Sequence, residues 1–504
     1  MLLFFDVKAQ KSTIDTSLLN KIKKEAFSNS QSYKLLTTLC DEYGPRLTWS
    51  PAYKKAADFV VDKLNEWKMQ NVHIENFDKI GKSWTIRNYF AQVTEPWFIP
   101  LIAYPKAWTP GTNSIIESDL VYLDAKSEKD FEKYQGKLKG KIVLIVDQVL
   151  LNPIHSGITF SRLSDSTLFE YENASAPDTA TLSKQKNEKD KYLESLQFIS
   201  KKVAFCKNEG ASLLLDPSLS YYGIVKVMGV VTPVEPKTLN DFWYGLAYNP
   251  DIPETVPQMK VSLEQYNHLM RLLKKGKTVK IKANIDVVFD KPQNGFNVIA
   301  EIPGTDLKNE VVIIGAQLDT YQSSSGAVDN TVGIVTCMET LRILSNSGIK
   351  PRRTIRICLF GGGEEHQLGS YDYVKKHFEK YSPEKCYINF NNICAGRYRG
   401  IFSMENNDSK PVFKEWMSYI NDPKFKTVSF LTSNQADNTP FDEAGLPGFG
   451  FIQDDLDFGN VNHSNMDVIE RVQREDLKQN AFIMAALAYF ASVRDGDFPG
   501  KTKK

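Results

Sequence analysis

The sequence predicts an α/β fold with a largely parallel sheet, on three observations. After Asn297, short apolar runs alternate with helical patterns, as strands joined by crossover helices do. Three of those strands run straight into clusters of polar residues, at the carboxyl ends where such sheets hold ligands. The stretch from about Ile115 to Val287 reads differently from the part that follows it. The chain has 504 residues, well beyond a domain of ~100–200, so two or more domains are expected.

The elements follow in order. From Ser30 to Trp67 the pattern is helical with a break at Gly44-Pro45. Leu35, Leu36 and Leu39 form one stripe; Ala56, Ala57, Val60, Val61, Leu64 and Trp67 form another. Val72-His73-Ile74 is strand-like. Within the different stretch, Lys139-Gly140 turns into a strand over Ile142 to Ile145. Val203 to Cys206 and then Gly210 to Leu215 read as a helix end passing into a strand. Asp165 to Lys191 is polar and charged, a solvated surface insertion. Downstream strands are expected over 311–314, 354–360, 387–390 and 449–452, and helices over 331–345, 367–378 and 474–493.

Composition excludes several classes. Lys and Arg number 62 against 61 Asp and Glu, so no basic field points to nucleic acid. No apolar run reaches the ~20 residues of a membrane span. Six cysteines without close pairing read as buried thiols, and six histidines exclude a histidine-rich metal site. Leu2-Leu3-Phe4-Phe5 with Val7-Lys8-Ala9 resembles the tail of a secretory signal, so a secreted or periplasmic location is expected.

The chemistry sits at the strand ends. The first strand runs into Gln317-Leu318-Asp319, the second into Gly363-Glu364-Glu365 and the third into Asn391. Asp329 precedes a helix, and a late loop carries His463 and Asp467. Each has a plain explanation taken alone: Asp329 caps a helix, the glutamates favour a helix N-terminus, and His463 is a loop residue. Together, carboxylates and one imidazole on one rim are what a zinc hydrolase needs.

These motifs resemble the co-catalytic zinc exopeptidases, which include bacterial leucyl aminopeptidases and carboxypeptidase Q. Gly44-Pro45-Arg46-Leu47-Thr48, Ala107-Trp108-Thr109-Pro110-Gly111-Thr112 and Phe441-Asp442-Glu443-Ala444-Gly445-Leu446-Pro447 extend the likeness over nearly the whole chain. The resemblance implies a three-layer αβα zinc-exopeptidase fold with a mixed, largely parallel sheet, and an inserted β-rich protease-associated domain. It divides the chain into an N-terminal segment (1–29), the first part of the peptidase domain (30–114), the insertion (115–287) and the metal-bearing part (288–504).

Residue by residue, the resemblance makes Glu364 the general base and Asp329, Glu365 and His463 the ligands of one zinc. Asp329 would bridge to a second ion, whose other ligand positions are Gln317 and Asn391 here. Amide oxygens are poor zinc ligands beside carboxylate and imidazole, so the second site is expected empty and one zinc retained. Asp319 and Asp467 would orient neighbours without ligating. Asp437 and Asn438 match a substrate-loop pair, with Asn438 replacing an imidazole. The expectation is a one-zinc exopeptidase or dipeptidase acting on short peptides, with a homodimer left open. The alternative is an inactive pseudo-peptidase that binds peptide or protein. Glutaminyl cyclases resemble the family and use one zinc, but their pocket motifs are not visible.

Overall fold

The computed structural model describes residues 14–150, 160–176, 179–243, 246–378, 384–391, 395–433 and 436–501. The signal-like Leu2 to Ala9 stretch and Cys394 lie outside these. The fold is mixed α/β, built on two eight-stranded sheets.

The first sheet has the order Gln70–Gly81, Gln293–Ile302, Arg353–Phe360, Leu307–Gln317, Lys385–Asn391, Gly448–Gln453, Tyr398–Phe402 and Thr427–Ser429. Its four central strands, from Arg353–Phe360 to Gly448–Gln453, are parallel, and antiparallel neighbours flank them. Their carboxyl ends therefore share one rim, at Gln317, Phe360, Asn391 and Gln453.

Side chains alternate along these strands and divide the core in two. Val312, Ile314, Ile355, Ile357 and Leu359 pack with the helices Val332–Asn346 and Arg474–Val493. Val311, Ile313, Cys358 and Phe360 point the other way, onto Tyr373 and Val374 of the helix Leu368–Phe378 and onto Phe441. The strands are thus buried on both faces, which is why they read as continuous apolar runs. The helix Val332–Asn346 is buried on nearly all sides because Ser32–Glu42, Thr16–Ser28 and Arg474–Val493 cover its outer face. Its two charged core residues pair with each other: Arg342 Nε donates to Glu339 Oε2 at 2.8 Å.

The second sheet runs Ile99–Pro100, Trp84–Glu95, Lys280–Phe289, Ile116–Tyr122, Ile142–Leu144, Leu213–Pro217, Gln258–Val261 and Ala103–Pro105. It shows the same division. Ile142, Leu144, Leu213 and Leu215 pack with Tyr266, Leu269 and Met270 of the helix Leu263–Lys274; Val143, Ile145 and Leu214 pack with Val203 and Cys206 of the helix Thr179–Asn208.

This sheet reaches beyond the expected 115–287. Trp84–Glu95, Ile99–Pro100 and Ala103–Pro105 belong to it, and its last strand continues to Phe289. The physical reason is pairing between distant segments, which local periodicity cannot reveal: a long antiparallel ladder from Trp84↔Phe289 to Glu95↔Lys280 brings in Trp84–Glu95 with Ile99–Pro100 beside it, and Ala103–Pro105 pairs with Gln258–Val261 at the opposite edge. The charged stretch expected as a surface insertion folds as Asp165–Glu172 and the first part of Thr179–Asn208, and is exposed along most of its length. Cys40, Cys206, Cys337, Cys358 and Cys386 are buried free thiols.

Candidate metal centre

The rim brings together three of the expected side chains. Ligand atoms of Asp329, Glu364 and His463 all lie within 4.8 Å of one another. His463 Nε2 is 3.1 Å from Asp329 Oδ2 and 3.1 Å from Glu364 Oε2. Glu365, expected as the third ligand, is outside this triad. Its carboxyl is buried, and neither oxygen has a hydrogen-bond partner among the described residues.

Each member is placed by a different element. Asp329 lies in the irregular turn Ala327–Thr331 that opens the helix Val332–Asn346. Glu364 follows the strand Arg353–Phe360 through three glycines, and the helix Leu368–Phe378 begins just beyond it. His463 stands after the short helix Phe458–Val461 with φ 57°, a left-handed backbone that costs a non-glycine residue about 1 kcal/mol.

A layer of buried acids holds these turns. Asp319 accepts the backbone N–H groups of Gly363 and Glu364, each at 3.0 Å, and the Thr48 hydroxyl at 2.9 Å. Asp467 accepts the N–H groups of Val328 at 2.5 Å and Asp329 at 3.1 Å. Arg46 is wholly buried and ties the same turns together. Its guanidinium donates to the carbonyls of Leu318 at 3.1 Å and Ser325 at 3.1 Å, and to the Thr331 hydroxyl at 2.6 Å. Nothing in the Gly44–Thr48 motif by itself assigns Arg46 and Thr48 these roles, because their partners at 318–331 are distant in the chain. Tyr321, also missed, stacks edge-on against His463 with ring centroids 4.8 Å apart.

The two amide positions behave differently. Gln317 Nε2 donates to Asp329 Oδ1 at 3.3 Å and to Glu364 Oε1 at 3.2 Å, so it braces the triad. Asn391 donates to Asn389 Oδ1, and its own Oδ1 is buried without a partner among the described residues. Asp437 and Asn438 face inward: Asp437 accepts the Ser370 hydroxyl at 2.7 Å, and Asn438 donates to the Ser433 hydroxyl at 3.1 Å.

The electrostatics follow from this packing. Burial works against charging the His463 imidazole, but the neighbouring Glu364 and Asp329 carboxyls outweigh it and raise its pKa. Burial raises the Glu364 carboxyl, with His463 opposing and Asp329 reinforcing the shift. Burial also lifts Glu365 well above the usual carboxylate range, next to Asp319. Two carboxyls that share one imidazole, beside a third buried carboxyl, form a donor set suited to a divalent cation.

Residues 297–488 match peptidase family M28. Carboxypeptidase Q of Mus musculus is 21% identical over 93% of this chain and 87% of its own length. Aminopeptidase YwaD of Bacillus subtilis (strain 168) is 26% identical over 44% of this chain and 49% of its own. Among solved structures, a peptidase M28 precursor from Shewanella amazonensis SB2B superposes with a TM-score of 0.70, at 20% identity, over 98% of this chain and 100% of that one. A zinc aminopeptidase from Bacillus subtilis gives a TM-score of 0.58 at 18% identity, covering 94% and 95% of the two chains. The match over 297–488 takes in all three triad residues, and by it the chain is similar to the co-catalytic zinc exopeptidases of peptidase family M28.

Proposed function

We propose that this chain is a zinc exopeptidase-type hydrolase of short peptides that uses one metal ion. The observation that carries this reading is the convergence of Asp329, Glu364 and His463 at the carboxyl rim of a parallel sheet. The fit is supported by the Glu365 carboxyl, which is buried beside the carboxyls of Asp319 and Glu364. Asp329 and His463 would hold the ion together with one glutamate of the Glu364–Glu365 pair. When bound, zinc polarises a peptide carbonyl and acidifies a water.

The residues of the chain supply the rest. The remaining glutamate accepts the proton of the attacking water and hands it to the leaving amine; its burial favours this, since a carboxyl with a raised pKa holds a proton long enough to deliver it. Asp319 keeps the glutamate turn in place through two N–H groups, and Asp467 does the same for Asp329. The single-ion count is supported by Gln317, whose amide hydrogens point at Asp329 and Glu364, where a second cation would be repelled.

The family resemblance gives ligation to Glu365 and proton transfer to Glu364. The observed triad favours the reverse, with Glu364 as the ligand. Elemental analysis of purified protein separates these readings. Wild type should carry about one zinc per chain. Whichever of Glu364→Gln and Glu365→Gln keeps the ion but loses dipeptide hydrolysis by about 100-fold or more identifies the base. A wild type that takes up no zinc after dialysis against it would leave a peptide-binding pseudo-peptidase.

A further inference from the structure

The loop that carries His463 is not held by its own sheet alone. Val227, a buried residue from the second-sheet unit, donates its N–H to the His463 carbonyl at 2.7 Å. Its neighbour Lys226 pairs with Ser464 as an antiparallel bridge, and the Lys226 ammonium reaches Asn462 Oδ1 at 2.8 Å and the Gly459 carbonyl. Val225 donates to Asn465 Oδ1 at 2.7 Å, while the Asn465 backbone N–H returns a bond to the Val225 carbonyl at 3.3 Å. Asn465 Nδ2 also donates to the Gly223 carbonyl at 3.3 Å. Residues 225–227 thus lie antiparallel along 463–465 as a short added strand, whose end bond falls on the residue that carries the imidazole.

A second grip lies upstream on the same connection. Ser161 donates its N–H to the Leu456 carbonyl at 3.2 Å, and Arg162 pairs with the buried Asp454 at 2.7 Å and Asp476 at 2.8 Å. Both grips come from the segment between the two halves of the first sheet, and both act on residues 454–465. That run starts at the rim and includes His463, in a left-handed conformation that an unsupported loop seldom keeps.

We infer that the second-sheet unit positions His463: the strip 225–227 clamps the loop backbone, so metal uptake at the rim depends on the seating of that unit. Val227 and Lys226 are positioning residues that act through the His463 main chain. The inference rests on the zinc reading for its consequence, but not for the contact itself.

Two substitutions at one position isolate the backbone bond. Val227→Pro removes the N–H, whereas Val227→Ala keeps it. Zinc dissociation constants by chelator competition should rise about tenfold or more for Val227→Pro and stay within about threefold for Val227→Ala. Asn465→Ala, which drops two side-chain bonds to the strip, should also weaken zinc binding. Amide hydrogen exchange across 455–468 should quicken in Val227→Pro and Asn465→Ala but not in Val227→Ala. Unchanged affinity and exchange in both perturbing variants would overturn the inference. If Val227→Pro does not fold, Asn465→Ala decides by the same two readouts. If wild type itself binds no zinc, the single-metal reading fails and exchange alone decides the clamp: faster exchange supports it and unchanged exchange refutes it.

Discussion

Gln317 shows how one residue sets the character of the rim. A histidine here would offer a ring nitrogen to a second ion; the amide instead gives its hydrogens to Asp329 and Glu364. Its space is closely fitted, since a Cβ on Gly363 would come within 2.6 Å of the Gln317 Cβ. The single-ion proposal has a direct counter-experiment at this scale. Converting both changed positions, Gln317→His with Asn391→Asp, should raise zinc content from about one to about two per chain, measured by elemental analysis. An unchanged count would mean that more than ligand type excludes the second ion.

At the scale of elements, the rim depends on turns that pack without room to spare. Gly361 ends the strand Arg353–Phe360, and a Cβ there would collide with the Tyr53 hydroxyl and the Phe296 carbonyl. Gly361→Ala should lower stability by about 1–3 kcal/mol, seen as a reduced midpoint in denaturant. The loop after Thr427–Ser429 contributes a pH response. Burial pushes the Asp437 carboxyl up to about 7, with the Ser370 hydroxyl opposing and Asp319 adding to the rise. A carboxyl raised in the folded state favours folding when protonated, so its contribution is complete below the unfolded value near 4 and disappears as pH climbs through 7. Asp437→Asn removes that loss. Its melting temperature relative to wild type should therefore increase from pH 4 to pH 8, and a flat difference would show that Asp437 does not titrate in this range.

Across the whole molecule, the two sheets meet where the chemistry is. Trp49, Trp108 and Tyr248 cluster between them: Trp49 stacks on Tyr248 with rings 5.0 Å apart and meets Trp108 edge-on at 6.4 Å. Asn240 of the second unit approaches His366, beside the glutamates, at 3.4 Å. Arg162 adds an ionic tie, although its side chain is 41% exposed and both of its carboxylate partners keep another arginine, Arg399 or Arg397. Arg162→Met should accordingly cost only about 1–2 kcal/mol in thermal unfolding, less than breaking a fully buried pair.

Much of this arrangement is present in the sequence because it is local. Strands buried on both faces must be apolar throughout, so Val311–Ile314 and Thr354–Phe360 stand out without a structure; so do the helices between them and the polar residues at their ends. The residue types Asp329, Glu364, Glu365 and His463 limit the chemistry to carboxylate and imidazole. What only the tertiary structure decided is non-local. The pairings of Trp84–Glu95 with Lys280–Phe289 and of Ala103–Pro105 with Gln258–Val261 move three early strands into the second sheet, and no periodicity within any of these segments encodes that. The choice of Glu364 over Glu365 in the triad depends on where the turn lets each side chain point, and adjacent identical residues carry no mark of it. The hold of Val225–Val227 on His463 depends on main-chain N–H and carbonyl groups, which every sequence has and which only folding brings together.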